Sequence, residues 1–125
     1  MGLTYDTGAL IAADRDDRLM WALHRAAMVR GLPPTVPSGV LAEAWRGGPQ
    51  HRLSRLLKGC NVDEMDERQA RQVGWLIARC GLTDIVDVAV VEGAIRRSDA
   101  VVTSNRSHIE QVADAVRQRL AIHDV

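Results

Sequence analysis

Phenylalanine is absent from this chain, and Tyr5 is its one tyrosine. A core must therefore be built from Leu, Val, Ile and Ala, with Trp21, Trp45 and Trp75 as the only large aromatic blocks. Lys58 is the single lysine, and the formal net charge is zero. A neutral chain has no global field to attract nucleic acid, so any such contact has to use a local patch. The remaining cations are arginines, which suit bidentate phosphate contact. Cys60 and Cys80 form no C-x-x-C motif and no disulfide framework, which points to buried, reduced thiols in a cytosolic protein. No apolar run approaches membrane-spanning length. Asp6 and Asp14 interrupt any signal-peptide-like stretch, so the expectation is a cytoplasmic protein with no membrane partner. His24, His51, His108 and His123 are scattered without paired metal spacing, which favours surface or packing roles. No G-x-x-x-x-G-K-[ST] phosphate loop is present.

What is there begins with Leu3 to Ala13, L-T-Y-D-T-G-A-L-I-A-A. Leu3-Thr4-Tyr5 reads as a short strand and Ala9 to Ala13 as a helix, which puts Asp6 at a strand end beside a helix start. In an open α/β sheet ligands bind at such ends, although Asp6 or Thr7 could equally be a helix cap. Asp16 or Asp17 caps a second helix, Arg18 to Arg30, with Leu19, Leu23, Ala26, Ala27 and Arg30 at helical spacing. Trp21 and Met28 exceed one buried face, so they belong either to the core or to an interaction surface. Thr35-Val36 is a second strand closed by Pro37, and Ser38 is the expected N-cap of the helix V-L-A-E-A-W-R. Gln50 to Lys58 is a helix ending at Gly59, and Cys60 to Met65 is a weak strand. Asp66 caps a helix over Glu67 to Cys80, with Ala70, Val73, Ile77 and Cys80 inward. Thr83-Asp84 opens an apolar helix, Ile85 to Arg97, whose composition predicts a central position. Ala100 to Thr103 is a strand apolar on both faces, as in a buried parallel sheet. Ser107 starts a last helix, and Leu120-Ala121-Ile122 is the closing strand. Strands alternating with helices over residues 1–125 predict one α/β domain, with a mostly parallel central sheet flanked by helices on both faces.

Polar groups recur at comparable places in this plan. Asp6 follows the first strand and Asn105 the fourth. Asp84 and Asp87 lie one turn apart at the start of the apolar helix, and Glu43 sits among apolar neighbours in V-L-A-E-A-W. An acid in an apolar stretch is costly unless paired, protonated or bound to a cation. Several carboxylates on one spot are what Mg²⁺ or Mn²⁺ needs, and such an ion can activate water at a phosphodiester. Each residue also has a plain structural reading. Thr83 or Asp84 could be an N-cap with Asp87 favoured in the first turn, Glu43 could pair with Arg46, and Asn105 could be a turn residue. The D-T-G of Asp6-Thr7-Gly8 is also an aspartic-protease signature, but there it stands in an all-β fold, whereas a helix follows here. A phosphoacceptor receiver domain needs a lysine after a late strand, and Lys58 is misplaced for it.

With those residues in hand, the chain resembles the PIN-domain proteins, most closely the VapC-type toxins of bacterial toxin–antitoxin systems. The resemblance rests on Y-D-T-G-A-L-I-A-A, on V-P-S-G-V-L-A-E-A-W-R, and on D-I-V-D-V-A-V-V-E-G-A-I-R-R followed by the strand A-V-V-T-S-N. It covers essentially the whole chain as a single PIN domain. It implies an endoribonuclease dependent on Mg²⁺ or Mn²⁺, acting on RNA, neutralised by a VapB-type antitoxin and assembling as a homodimer. Asp6, Glu43 and Asp87 match the first three acids, and Asp84 an additional one. Asn105 stands where the family usually has its fourth Asp. An amide brings no charge, which lowers expected metal affinity and leaves open a binding or regulatory protein with weak or no nuclease activity. Thr7 and Ser104 are expected to orient ligands or phosphate, and Arg46 and Arg106 to contact phosphate or form surface ion pairs.

Overall fold

The computed structural model describes all residues, 1–125. Five strands, β1 (Leu3–Tyr5), β2 (Thr35–Pro37), β3 (Asn61–Asp63), β4 (Ala100–Thr103) and β5 (Ile122–Asp124), form one sheet in the order β3-β2-β1-β4-β5. Every pairing is parallel, so the sheet is fully rather than mostly parallel. Seven helices cover it: α1 (Thr7–Asp14), α2 (Arg18–Val29), α3 (Ser38–Ala44), α4 (His51–Leu57), α5 (Glu67–Cys80), α6 (Ile85–Arg97) and α7 (Arg106–Ala115).

β1 lies at the centre, and its alternation sorts the helices into two layers. Tyr5 points to one face, where its hydroxyl shares a 2.9 Å hydrogen bond with Nδ1 of His24 on α2. Thr4 points to the other, where its Oγ1 accepts from Nη2 of Arg97 on α6 at 3.0 Å. Helices α1 and α6 both pack on β1 and β4; α3 and α4 join α1, and α5 and α7 flank α6. A core of 24 buried apolar residues joins the layers. It includes Leu10, Leu53, Leu56, Val88, Val90, Val101 and Ile109, all essentially inaccessible. The expected central helix is α6, with Val88 through Val91, Gly93 and Ala94 buried. Burial lowers the pKa of His24, keeping the imidazole neutral beside Tyr5, and pushes the half-buried Cys60 thiol up to about 12.

Several local expectations shift. Helix α1 starts at Thr7 rather than Ala9, because the Asp6 carboxylate caps it. Of the two candidate caps of α2, Asp16 and Asp17, it is Asp17 that accepts from the helix. The buried face of α2 is Met20, Trp21, His24 and Ala27; of the expected Leu19, Leu23, Ala26, Ala27 and Arg30, Ala27 is buried and Leu23 half-buried, but the face is rotated and Leu19 is 52% exposed. The indole fixes that rotation, since Trp21 Nε1 donates to the Ala13 carbonyl at 3.0 Å. Trp21 is therefore core. β2 runs through Pro37, and Ser38 opens α3 without capping it; proline's fixed φ of −59° serves both the strand end and the helix entry. Gly59 is not a C-cap: Lys58 is, and an added Cβ at Gly59 would meet Met28 Sδ at 2.7 Å and His24 Nε2 at 3.1 Å. The weak third strand is confined to Asn61–Asp63 at the sheet edge. On α5, Gln69 is buried in place of Ala70, its amide donating to Glu92 Oε1 at 2.9 Å. The closing strand is Ile122–Asp124 rather than Leu120–Ile122, because its register is set by pairing with β4, Val101 opposite Ile122, not by apolarity.

Trp21 and Trp75 should behave oppositely on truncation. Trp21→Ala removes a buried indole and its hydrogen bond, and should cost about 3–5 kcal/mol in urea denaturation. Trp75, 53% exposed, should cost within about 0.5 kcal/mol. A small loss for Trp21→Ala would return that residue to the surface.

Candidate active site

In the order β3-β2-β1-β4-β5 the chain winds outward from β1 to β3, then returns to start β4 on the other side of β1. The connections from β1 and β4 therefore leave in opposite directions, opening a crevice beyond their carboxyl ends. Asp6 and Thr7 follow β1 there, and Ser104 and Asn105 follow β4. The crevice is narrow. A Cβ added to Gly8 would run into Ser104, its Oγ first, with Ser104 Cβ at 3.0 Å and the Ser104 backbone nitrogen at 3.2 Å. Glycine at this position lets the start of α1 approach the loop after β4.

Helix caps place the acids. Asp6 is 8% exposed, and its Oδ1 accepts from Ala9 N at 2.9 Å. Burial raises its pKa, opposed by hydrogen bonds from Thr103 and from the Ala9 and Gly8 backbone, and by nearby His108. Asp84 caps α6, its Oδ1 accepting from Asp87 N at 3.0 Å. Asp87, one turn on, has its carboxyl pushed up to about 6 by burial first and then by Asp84, with Glu43 and Asp6 adding and His108 opposing. Four carboxylates from three parts of the chain thus share one electrostatic neighbourhood. Glu43 is not embedded as its apolar neighbours suggest: it lies on the exposed side of α3. There its Oε1 accepts from Thr7 Oγ at 2.6 Å, linking α3 to the start of α1.

His108 is the residue that the scattered histidine positions concealed. It lies in the first turn of α7, and its Nε2 is 3.0 Å from Asp87 Oδ2. Its place three residues after Asn105, behind a strand end, is the signal that could have found it. Thr103 was also missed; it is fully buried, and its hydroxyl accepts from Asn105 N at 2.9 Å.

Other expected site residues are committed elsewhere. Asn105 caps α7, its Oδ1 accepting from Ser107 Oγ at 3.0 Å and His108 N at 3.3 Å. Arg46 does not pair with Glu43; its Nη1 donates to the Trp45 and Ala42 carbonyls. Arg106 ties α7 to β5 through Asp124, at 2.9 Å, and the Ile122 carbonyl, and also meets Glu110. Ser104 is exposed at the crevice wall. With each acid turned to a protein donor, no three His, Cys, Asp or Glu side chains form a ready metal-binding group. The donor chemistry nevertheless suits a hard divalent cation: the ligands are carboxylate oxygens, and a cation would relieve the mutual repulsion that lifts Asp87.

No protein-family model matches the chain, and no curated protein matches it in sequence. Among solved structures, it is similar to a chain of the VapBC2 complex from Rickettsia felis, bound to a DNA fragment from their promoter. The TM-score is 0.75 at 15% identity, over 100% of this chain and 99% of that one. The fold is PIN-like, as the order of motifs led us to expect. No helix is long and apolar enough to cross a membrane.

Two measurements test this geometry. Because the Asp87 carboxyl is raised in the folded state, its contribution to stability is fully present below about pH 4 and lost as pH rises through about 6. In metal-free buffer, Asp87→Asn should therefore melt higher than the wild type at pH 7.5, with the difference vanishing near pH 4. Equal melting curves at both values would place Asp87 outside the acidic cluster. Gly8→Ala should cost about 1–3 kcal/mol through overpacking against Ser104, and Ser104→Ala should recover part of that loss.

Proposed function

We propose that the protein is a metal-dependent endoribonuclease of the VapC type. The observation that carries this reading is the convergence of Asp6, Glu43, Asp84 and Asp87 on the crevice beyond β1 and β4, registered in the raised Asp87 carboxyl. Asp6, Glu43 and Asp87 would hold Mg²⁺ or Mn²⁺, with Asp84 and Asn105 as auxiliary groups. The bound ion supplies an activated water and offsets charge on a phosphoryl oxygen. His108 holds Asp87 Oδ2, and Thr7 holds Glu43 Oε1, so both carboxylates are oriented before any ligand arrives. Ser104 at the crevice wall can donate to a phosphate. A VapB-type antitoxin, a homodimeric state and a cytoplasmic location go with this reading; the VapBC2 complex with the similar fold supports the first.

A second reading, a PIN-fold binding or regulatory protein with weak or no nuclease activity, is favoured by Asn105. Its oxygen is spent on capping α7, and it brings no charge to the crevice.

Cleavage of labelled RNA, with metal titration, separates the two. Asp6→Asn and Asp87→Asn should each abolish Mg²⁺- or Mn²⁺-dependent cleavage while leaving circular dichroism unchanged, because carboxylate charge is what holds a hard cation. Cleavage at the wild-type rate by either variant removes that residue from the site. Asn105→Asp should keep the helix cap, since both residues cap well. It should also show a larger metal-induced rise in melting temperature than the wild type, with greater activity at low metal. An unchanged metal response would put residue 105 outside the coordination sphere.

A further inference from the structure

The acidic crevice leaves unexplained an arginine-rich face on α5. Trp75 projects from that helix 53% exposed, in a chain with only three tryptophans. Arg68, Arg71, Gln72 and Arg79 lie at helical spacing around it, all exposed. Three clefts meet at the indole, of about 820, 610 and 360 Å³. Arg117, just past α7, lines one of them. Its φ is +57°, so an arginine occupies the left-handed position where helix ends ordinarily take glycine.

The charges on this face do not cancel. Its two acids are already matched: Glu67 pairs with Arg71 at 2.8 Å and Glu92 with Arg96 at 3.2 Å. Arg68, Arg79 and Arg117 carry no ion pair. The Arg79 guanidinium sits 5.2 Å from the Trp75 ring centroid, which holds a cation beside an open aromatic face. In a chain of zero net charge this is the local patch that composition alone could not locate. A second copy of the chain fits poorly, because a two-fold contact centred on Trp75 would bring the unpaired arginines of both copies together.

We propose that the Trp75 face of α5 is a docking surface for single-stranded nucleic acid. The indole stacks a base, and Arg68, Arg79 and Arg117 take the flanking phosphates. Stacking accepts any base and the guanidinium groups follow the backbone, so the surface adds affinity without sequence preference. The choice of RNA as ligand rests on the ribonuclease reading; the face itself does not, being separate from the acids. It would hold a strand whose scissile bond lies in the crevice.

The test measures binding without cleavage. Fluorescence anisotropy of a labelled oligouridine RNA is followed in EDTA, for the wild type, Trp75→Ala, and the double variant Arg68→Glu, Arg79→Glu. Trp75→Ala should weaken binding about 5- to 100-fold. The double variant should weaken it further and reduce the slope of log affinity against log salt by about 1.4. Melting temperatures close to the wild type confirm that both variants fold. Wild-type protein that binds this RNA in EDTA but cleaves none of it with Mg²⁺ or Mn²⁺ counts against the nuclease reading alone. Wild-type affinity in both surface variants, or no binding by the wild type itself, overturns the proposal. So does a Trp75→Ala protein that changes from dimer to monomer in sedimentation with its RNA affinity intact, for the face then belongs to a protein contact.

Discussion

Carboxylates repel one another, and this fold holds four of them against a single crevice. Asp87 shows the cost, its carboxyl pushed up to about 6 by burial first, with Asp84, Glu43 and Asp6 adding to it. Such an arrangement persists only when other interactions fix the backbone that carries the acids. Here the central parallel sheet does so, with β1 wholly buried between β2 and β4 and the apolar α6 packed across it. The core and the crevice are thus two sides of one balance, in which apolar burial offsets charge held together beyond the carboxyl ends of β1 and β4.

Capping and site-building turn out to be the same act at two positions. Asp6 caps α1 and Asp84 caps α6. A cap must stand at the start of a helix, and in a parallel α/β sheet the helices that follow strands start beyond the strands' carboxyl ends. A carboxylate that accepts one backbone N–H through one oxygen keeps its second oxygen for another partner. Asp87 and Glu43 are not caps, and they are held by side chains instead: His108 for one, Thr7 for the other. The difference explains why His108 matters to the site although no motif contains it.

The other end of the central strands is organised by a second network, whose centre is Asp99. Its carboxylate accepts from Gly2 N, Thr4 Oγ1 and Arg97 Nε at 2.8, 2.9 and 3.1 Å. Arg97 also reaches Asp63 at 2.8 Å, so one guanidinium joins α6, β1 and the end of β3. Unlike Asp6, Glu43 and Asp84, Asp99 has an arginine in direct contact, and its charge is matched within the fold. The two groups of acids are distinguished by their partners rather than by their residue type.

How much of this was legible beforehand follows from the range of the forces involved. The alternation of strands and helices, the parallel sheet, the central α6 and the cap at Asp66 are consequences of local pattern, and the amino-acid order carries them; between Asp16 and Asp17, and between Thr83 and Asp84, it left the cap open. The expectation that Asp6, Glu43 and Asp87 meet came instead from motifs that resemble those of PIN domains. Which face of α2 turns inward was not local: the Trp21 indole had to find the Ala13 carbonyl. Neither was the end of β5, set by its ladder with β4, nor the His108–Asp87 contact, made by residues 21 apart in sequence. The exposed position of Glu43 and the commitment of Arg106 to Asp124 likewise depend on how helices lean on their neighbours. Periodicity and capping act within a few residues along the chain, so sequence determines them. Rotation, register and charge partnership are decided by contacts across the fold, which only the packed tertiary structure supplies.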